Sequence, residues 1–264
     1  MLRLRRRCVL PQGALRAAGL GIVAIIGVAA VTAALFSPMF TVQEIRVQRS
    51  DPRIDFEQVQ NAIGSIYGRH LLLLTSSDVE APLREVIPDL RTVTVRKRYP
   101  QTLWLRLTLD PIIARMEILE PDGSKPIVPD EPGPVADLLS SRGMYLVYTP
   151  AQMGSGAALP TVEVTDWGAR PSPWSIIVDE HFLAAMQQAE TLLAQRFGQI
   201  VRRRTIFLRA REFHLTVDKI SLWFDIRSPV DEQLARYRNF LDALGPSAAA
   251  RYIDLRIRGK VVYR

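Results

Sequence analysis

The sequence predicts an α+β protein: a single apolar N-terminal helix, a small domain, and a larger, mainly antiparallel β domain with helices. Three observations predict it. Residues 17–36 are twenty consecutive uncharged positions. Between residues 38 and 110 the apolar period runs from two, to helical spacing, and back to two. From 111 to 264, short alternating stretches surround two long amphipathic ones.

The apolar helix comes first. At 1.5 Å per residue, twenty helical residues span about 30 Å, the thickness of a bilayer's hydrocarbon core. Arg3, Arg5, Arg6, Arg7 and Arg16 precede it and no acid does. The positive-inside rule therefore predicts a cytoplasmic tail over residues 1–16, a transmembrane helix over 17–37 that contacts membrane lipid, and extracytoplasmic domains beyond. A cleaved signal peptide has a shorter apolar core of about 7–15 residues, which favours an uncleaved anchor. Cys8 precedes the helix and no cysteine follows, so no intrachain disulfide is expected. Of the 34 basic and 27 acidic residues, 29 and 27 lie after Gln43. That near balance excludes a globally basic nucleic-acid-binding domain.

The small domain, residues 38–110, begins with an extended run through Phe40, Val42, Ile45 and Val47. Asp55 is read as a helix cap with Gln58 as its reciprocal partner, before Val59, Ala62, Ile63 and Ile66 at helical spacing. Ser77 and Glu80 are read as a second capping box, before an apolar stripe that ends at Pro88. Two strands follow. In the second, Leu103, Leu105, Leu107 and Leu109 alternate with Thr102, Trp104, Arg106 and Thr108, so the leucines are expected to face the helices and Trp104 to face away.

In residues 111–264, strands are expected at 112–119, 143–149, 205–209, 213–217 and 220–226, and loops at 120–134 and 153–160. Asp179 caps one helix, which ends at Gly198; Ser228 is read as the cap of another, with Pro229 at its first position and a stop at Gly245-Pro246. A final alternating strand carries Ile253, Leu255 and Ile257, and a break at Gly259 precedes a short segment, residues 260–264.

Phe40-Thr41-Val42-x-x-Ile45-x-Val47, Gly68-x-x-Leu71-Leu72 and Val93-x-Val95-x-Lys97-x-Tyr99-Pro100-x-Thr102-Leu103-x-Leu105 resemble the bacterial cell division protein family FtsQ, called DivIB in Gram-positive species. So do the helix carrying Leu234 to Leu244 and the Ile253-Asp254-Leu255-Arg256 ending. The resemblance covers about residues 17–264. It implies that residues 38–110 form a POTRA-like domain, a protein-binding module, and that residues 111–264 form an FtsQ-type β domain. It further implies a non-enzymatic scaffold of the divisome, a single-pass protein of the bacterial inner membrane at the division septum. Such a scaffold links FtsB-like and FtsL-like coiled-coil proteins and helps regulate septal peptidoglycan synthesis. The FtsB-type partner docks on the C-terminal region in that family, so Tyr252, Arg256, Val262 and Tyr263 are the expected contacts, with Trp104 a candidate surface contact on the POTRA-like domain. A POTRA-containing envelope assembly or secretion factor is the alternative, and an anchored envelope enzyme a more remote one.

No sequence motif calls for catalysis, a cofactor or a metal. His70, His181 and His214 are far apart and lack a two-histidine helical motif. Ser155 lacks the flanking spacing of a nucleophile elbow, and Asp166, Asp179 and Glu180 read as caps or solvated charges. Arg96-Lys97-Arg98 and Arg202-Arg203-Arg204 are the basic clusters outside the tail, read first as solvated faces and second as contacts for an acidic partner or lipid. Nucleic acid is not an expected partner.

Overall fold

A computed structural model describes residues 22–29, 31–33, 36–121, 125–127, 135–153, 159–165 and 168–264. Among them no helix is long and apolar enough to cross a membrane. The expected transmembrane helix at 17–37, and the single-pass inner-membrane placement drawn from it, are corrected accordingly. Residues 1–21, with Cys8 and the five arginines, lie outside the described residues, as do Ser155, Asp166 and Trp167.

The chain forms an α+β protein with mixed sheets and divides into two compact units. Unit 1 comprises the described residues up to Ser50 together with Asp55–Ile87 and Thr92–Leu107. Its elements are β1 (Glu44–Gln48), α1 (Phe56–Ile63), α2 (Ser76–Val86), β2 (Leu90–Arg98) and β3 (Thr102–Leu109), with β2 and β3 contributing their far ends to unit 2. The strand order is β1-β3-β2, and β1 runs parallel to β3 with Arg46 opposite Trp104. Alternation decides the faces. Leu103, Leu105 and Leu107 are fully buried, together with Val59 and Ile63 of α1 and Val79 and Leu83 of α2, while Arg106 is exposed and Trp104 half-buried on the other side.

The first helix starts where the sequence predicts, at Asp55, and the second does not. Asp55 caps α1 through the Glu57 amide (2.9 Å). The capping box of α2 is Thr75 with Asp78, two residues earlier than Ser77 with Glu80. Thr75 has the extended backbone a cap requires, whereas Ser77 is already helical and Glu80 instead pairs with Arg84 one turn on.

Unit 2 comprises Asp51–Ile54, Pro88–Arg91 and Thr108–Arg264. Its strands are β4 (Ile112–Ile118), β5 (Ala136–Ser140), β6 (Tyr145–Tyr148), β7 (Thr161–Thr165), β8 (Val201–Phe207), β9 (Glu212–Val217), β10 (Ile220–Asp225), β11 (Tyr252–Asp254) and β12 (Val262–Tyr263). The helices are the short α3 (Pro150–Met153), α4 (Glu180–Phe197) and α5 (Val230–Leu244). One sheet holds all nine strands in the order β12-β11-β10-β9-β8-β7-β4-β5-β6. It is mixed: β4–β7, β7–β8 and β10–β11 are parallel pairs, and the other five neighbouring pairs are antiparallel, as the sequence predicts for most of the sheet. Parallel neighbours need long crossovers, and α4 and α5 supply two of them, between β7 and β8 and between β10 and β11.

Those two helices cover one face of the sheet. Phe182, Met186, Ala189 and Leu193 of α4 and Leu234, Tyr237 and Phe240 of α5 share a core with Ile206, Phe213, Leu215, Leu222, Phe224 and Ile253. Asp179 caps α4 through the Phe182 amide (2.7 Å), and Gly198 ends it in a left-handed conformation. Pro229, not Ser228, occupies the cap of α5 and offers no side-chain hydrogen bond. Gln233, fully buried, compensates by donating to the Asp225 and Ser228 carbonyls (2.8 and 2.9 Å) and accepting from the Asp225 amide (3.0 Å). Between β5 and β6 the chain turns at Gly143, whose φ of 77° and approach to the Val178 carbonyl leave no room for a Cβ: one would sit 1.7 Å from that oxygen.

Three segments of unit 2 that are distant in sequence meet at one guanidinium. Arg53 donates to Asp89 Oδ2 (2.9 Å), to Asp51 Oδ2 (2.8 Å) and to the Asp110 carbonyl (3.0 Å). The Tyr148 hydroxyl donates to the same Asp89 oxygen (3.1 Å), and the Asp110 amide closes onto the Asp89 carbonyl (2.8 Å). The side chain of Arg53 is 4% exposed and that of Asp89 1%. Burial pushes the Asp89 carboxyl above its ordinary range.

Candidate functional site: the open face and edge of the large sheet

Away from α4 and α5, the nine-stranded sheet carries the polar phase of β9, β10 and β11, whereas at β5 and β6 that side buries Leu138, Leu146 and Tyr148 in a small apolar cluster. In β9 and β10 that phase places His214 opposite Trp223, and in β11 it places Tyr252 opposite Ser221. The rings form a continuous ladder across four strands. Phe207 of β8 lies 4.4 Å from His214, His214 stacks on Trp223 at 4.5 Å and 3°, and Trp223 stacks on Tyr252 at 4.3 Å and 11°. The Arg256 guanidinium lies 5.1 Å over the Trp223 ring and forks onto Asp254 (2.8 and 2.6 Å), with a further nitrogen donated to Glu212. Burial works against both members of the fork, pushing Asp254 up and Arg256 down.

His214 sits between two aromatic rings with 13% of its side chain exposed, and burial holds it down at about 4. Its Nε2 lies 3.5 Å from Glu212 Oε1 without forming a hydrogen bond. Glu212 already receives Arg256, so the imidazole is neutral near pH 7 and the contact is not an ion pair. The sign of the pH effect follows. The folded pKa lies below the unfolded value of about 6.5, so the stabilisation is complete above pH ~6.5 and is lost as pH falls through about 4. A shift of that size corresponds to about 3 kcal/mol. His214→Phe keeps the ladder without a titrating group, so its unfolding midpoint in urea should fall less between pH ~7 and ~4 than that of the unsubstituted protein. Identical pH slopes would show that His214 is accessible to water.

The edges of this sheet differ. At the β6 edge, Tyr145 donates to the Ser175 carbonyl (2.8 Å) and accepts from the Trp174 amide (2.8 Å), so a following segment covers it. At the other edge lies β12, antiparallel to β11 with Ile253 opposite Tyr263 and Asp254 opposite Val262. Arg264 and Tyr252 exchange hydrogen bonds in both directions (3.1 and 3.3 Å). Antiparallel pairs alternate bonded and non-bonded positions, so the Tyr263 N–H and C=O point away from β11. Among the described residues no strand pairs with that side.

No family model matches the chain, and no curated protein matches its sequence. The functional reading therefore rests on this geometry and on the sequence motifs.

The five expected contact residues occupy three settings. Val262 and Tyr263 are on the open edge, 41% and 44% exposed. Val262 shares the ladder face through Asp254, whereas Tyr263 faces the helices and meets Phe240 of α5 edge-on at 5.1 Å. Tyr252 and Arg256 are on the ladder face, both engaged with Trp223. Trp104 is in unit 1, beneath the Arg96 guanidinium at 5.7 Å. Sequence reading missed Phe207, His214, Trp223, Glu212 and Asp254 as one constellation. Each occupies a polar-phase position, but only the strand register lines them up.

The three histidines do not converge: His70 bridges Thr41 in unit 1, His181 lies in the first turn of α4, and His214 is in the ladder. Among the described residues no group of His, Cys, Asp and Glu could hold a metal ion. A cleft of about 440 Å³ beside α4 is lined by Glu180, Leu183, Glu190 and Arg204, among others. Glu190 accepts from Arg204 Nε and Nη2, both at 2.7 Å, in a two-pronged ion pair.

Proposed function

We propose that the protein is a non-enzymatic scaffold of the FtsQ/DivIB kind, which links bacterial division proteins and helps regulate septal peptidoglycan synthesis. It receives a strand of an FtsB-like partner on β12 and works with FtsL-like coiled-coil proteins. The observation that carries this reading is the outward-facing backbone of Tyr263 at a sheet edge that no strand among the described residues covers, beside a face lined by aromatic and charged side chains. Strand addition there supplies main-chain hydrogen bonds for affinity, and the side chains flanking the edge supply specificity.

The test separates backbone from side chain. Tyr263→Leu and Tyr263→Pro both remove the Phe240 contact, but only proline removes the outward N–H. In affinity capture from the native host, the unsubstituted chain should retain small coiled-coil division proteins and Tyr263→Leu should retain most of that capture. Tyr263→Pro should weaken it at least about tenfold, the equivalent of one lost hydrogen bond. Thermal unfolding of both variants must stay comparable. Equal capture by a folded proline variant refutes strand addition at β12.

A further inference from the structure

The open face of the small sheet in unit 1 carries an unbalanced charge. Its outward positions are Glu44, Arg46 and Gln48 on β1, Thr102, Trp104, Arg106 and Thr108 on β3, and Thr92, Thr94, Arg96 and Arg98 on β2. Four arginines thus share the face with one carboxylate. Glu44 is already committed, accepting from Arg46 Nε at 2.7 Å and from the Thr102 hydroxyl at 3.1 Å. Among the described residues Arg96, Arg98 and Arg106 have no ion-pair partner, and all three are exposed. Trp104 lies at the centre, opposite Arg46 in the β1 register and under the Arg96 guanidinium. Lys97 turns to the other side and donates to the Leu72 carbonyl (3.2 Å), so every cation on the face is an arginine.

Arginine forks match planar carboxylates with two hydrogen bonds each, which a lysine ammonium does not. A half-buried tryptophan roofed by a guanidinium is not a wedge that inserts into a lipid surface. One aromatic ring does not make the series of platforms on which successive bases stack. We propose that this face docks an acidic polypeptide segment of a partner protein, with Arg96, Arg98 and Arg106 receiving its carboxylates around Trp104. The proposal goes beyond strand docking at β12 and stands without it.

A fluorescently labelled oligoglutamate of about eight residues, about 26 Å when extended, is long enough to cross the face. Its binding to the full-length chain is followed by anisotropy. The complex should weaken as salt is raised through the range where the Debye length falls from about 30 to 10 Å. The R96Q/R106Q double variant should lose about tenfold in affinity or more. Glu44→Gln should act in the opposite direction and tighten binding, because it removes the one acid on the face and releases Arg46. A purely structural role for these residues predicts no such gain. If the double variant unfolds, Arg98→Gln carries the same test alone. The proposal is overturned if folded variants bind the oligoglutamate unchanged. It is equally overturned if oligothymidylate or phosphatidylglycerol vesicles bind in preference to it, since a phosphate-bearing ligand is then the occupant.

Discussion

Arg53→Met is expected to cost about 3–5 kcal/mol of folding stability, a large share of what a domain of this size has to lose. The reason is Asp89. Its side chain is 1% exposed, Arg53 is its ion-pair partner at 2.9 Å, and its Oδ1 has no hydrogen-bond partner among the described residues. Removing the guanidinium strands that carboxylate in a site where burial already raises its pKa, and it leaves the Asp110 carbonyl without a donor it now has. Because the chain has two compact units, the measurement is the urea transition of unit 2 followed by far-UV circular dichroism, not one global midpoint. Replacing both partners, R53M/D89L, should recover part of the loss, since an apolar pair of similar volume avoids the unpaired charge. A loss below about 1 kcal/mol for Arg53→Met would show that water reaches the cluster.

Leu105→Asp is the second large effect. Leu105 is fully buried beneath α1 and α2, and truncating a leucine at such a site costs about 2–5 kcal/mol before any charge enters. The carboxylate adds either its desolvation or the cost of protonation through a raised pKa, so unit 1 should not fold at neutral pH. Trp104→Asp, one residue away on the open face, should be tolerated far better, and on that face it meets arginines rather than leucines. Amide exchange resolved over unit 1 distinguishes the two. Comparable loss of protection in both variants would mean that the strand phase is wrong.

The small sheet was legible because its pattern is local: four leucines at period two, flanked by Thr and Arg, specify a face without knowledge of any partner. Strand β7 was not. Thr161–Thr165 is an interior strand between two parallel neighbours, and it buries Val162, Glu163, Val164 and Thr165 alike. Its central glutamate, bonded to Thr205 at 2.9 Å and paired with Arg203 at 2.6 Å, hides it from a hydrophobic search. The same holds for the ladder face. His214, Trp223 and Tyr252 belong to three strands, one of them reached only after α5, and no spacing along the chain announces that they stack. The apolar N-terminal stretch shows the opposite error: composition alone predicted a span that the described helical residues do not provide.

The meeting of Asp51–Ile54, Pro88–Arg91 and Asp110 at one guanidinium also sets an order in time. Arg53 leaves the ribosome long before its counterparts: 36 residues separate it from Asp89 and 57 from Asp110, and Tyr148 follows Asp89 by 59 more. At about 5–20 residues per second, the arginine waits seconds for the groups that hold it, and Tyr148 arrives last. Unit 1 completes its strands once Leu107 is made, whereas the cluster that anchors its neighbouring segments closes only after β6 has been synthesised. Translation thus separates the maturation of the two units, and a truncated chain ending before Tyr148 should hold a finished small sheet while Arg53 is still unsealed.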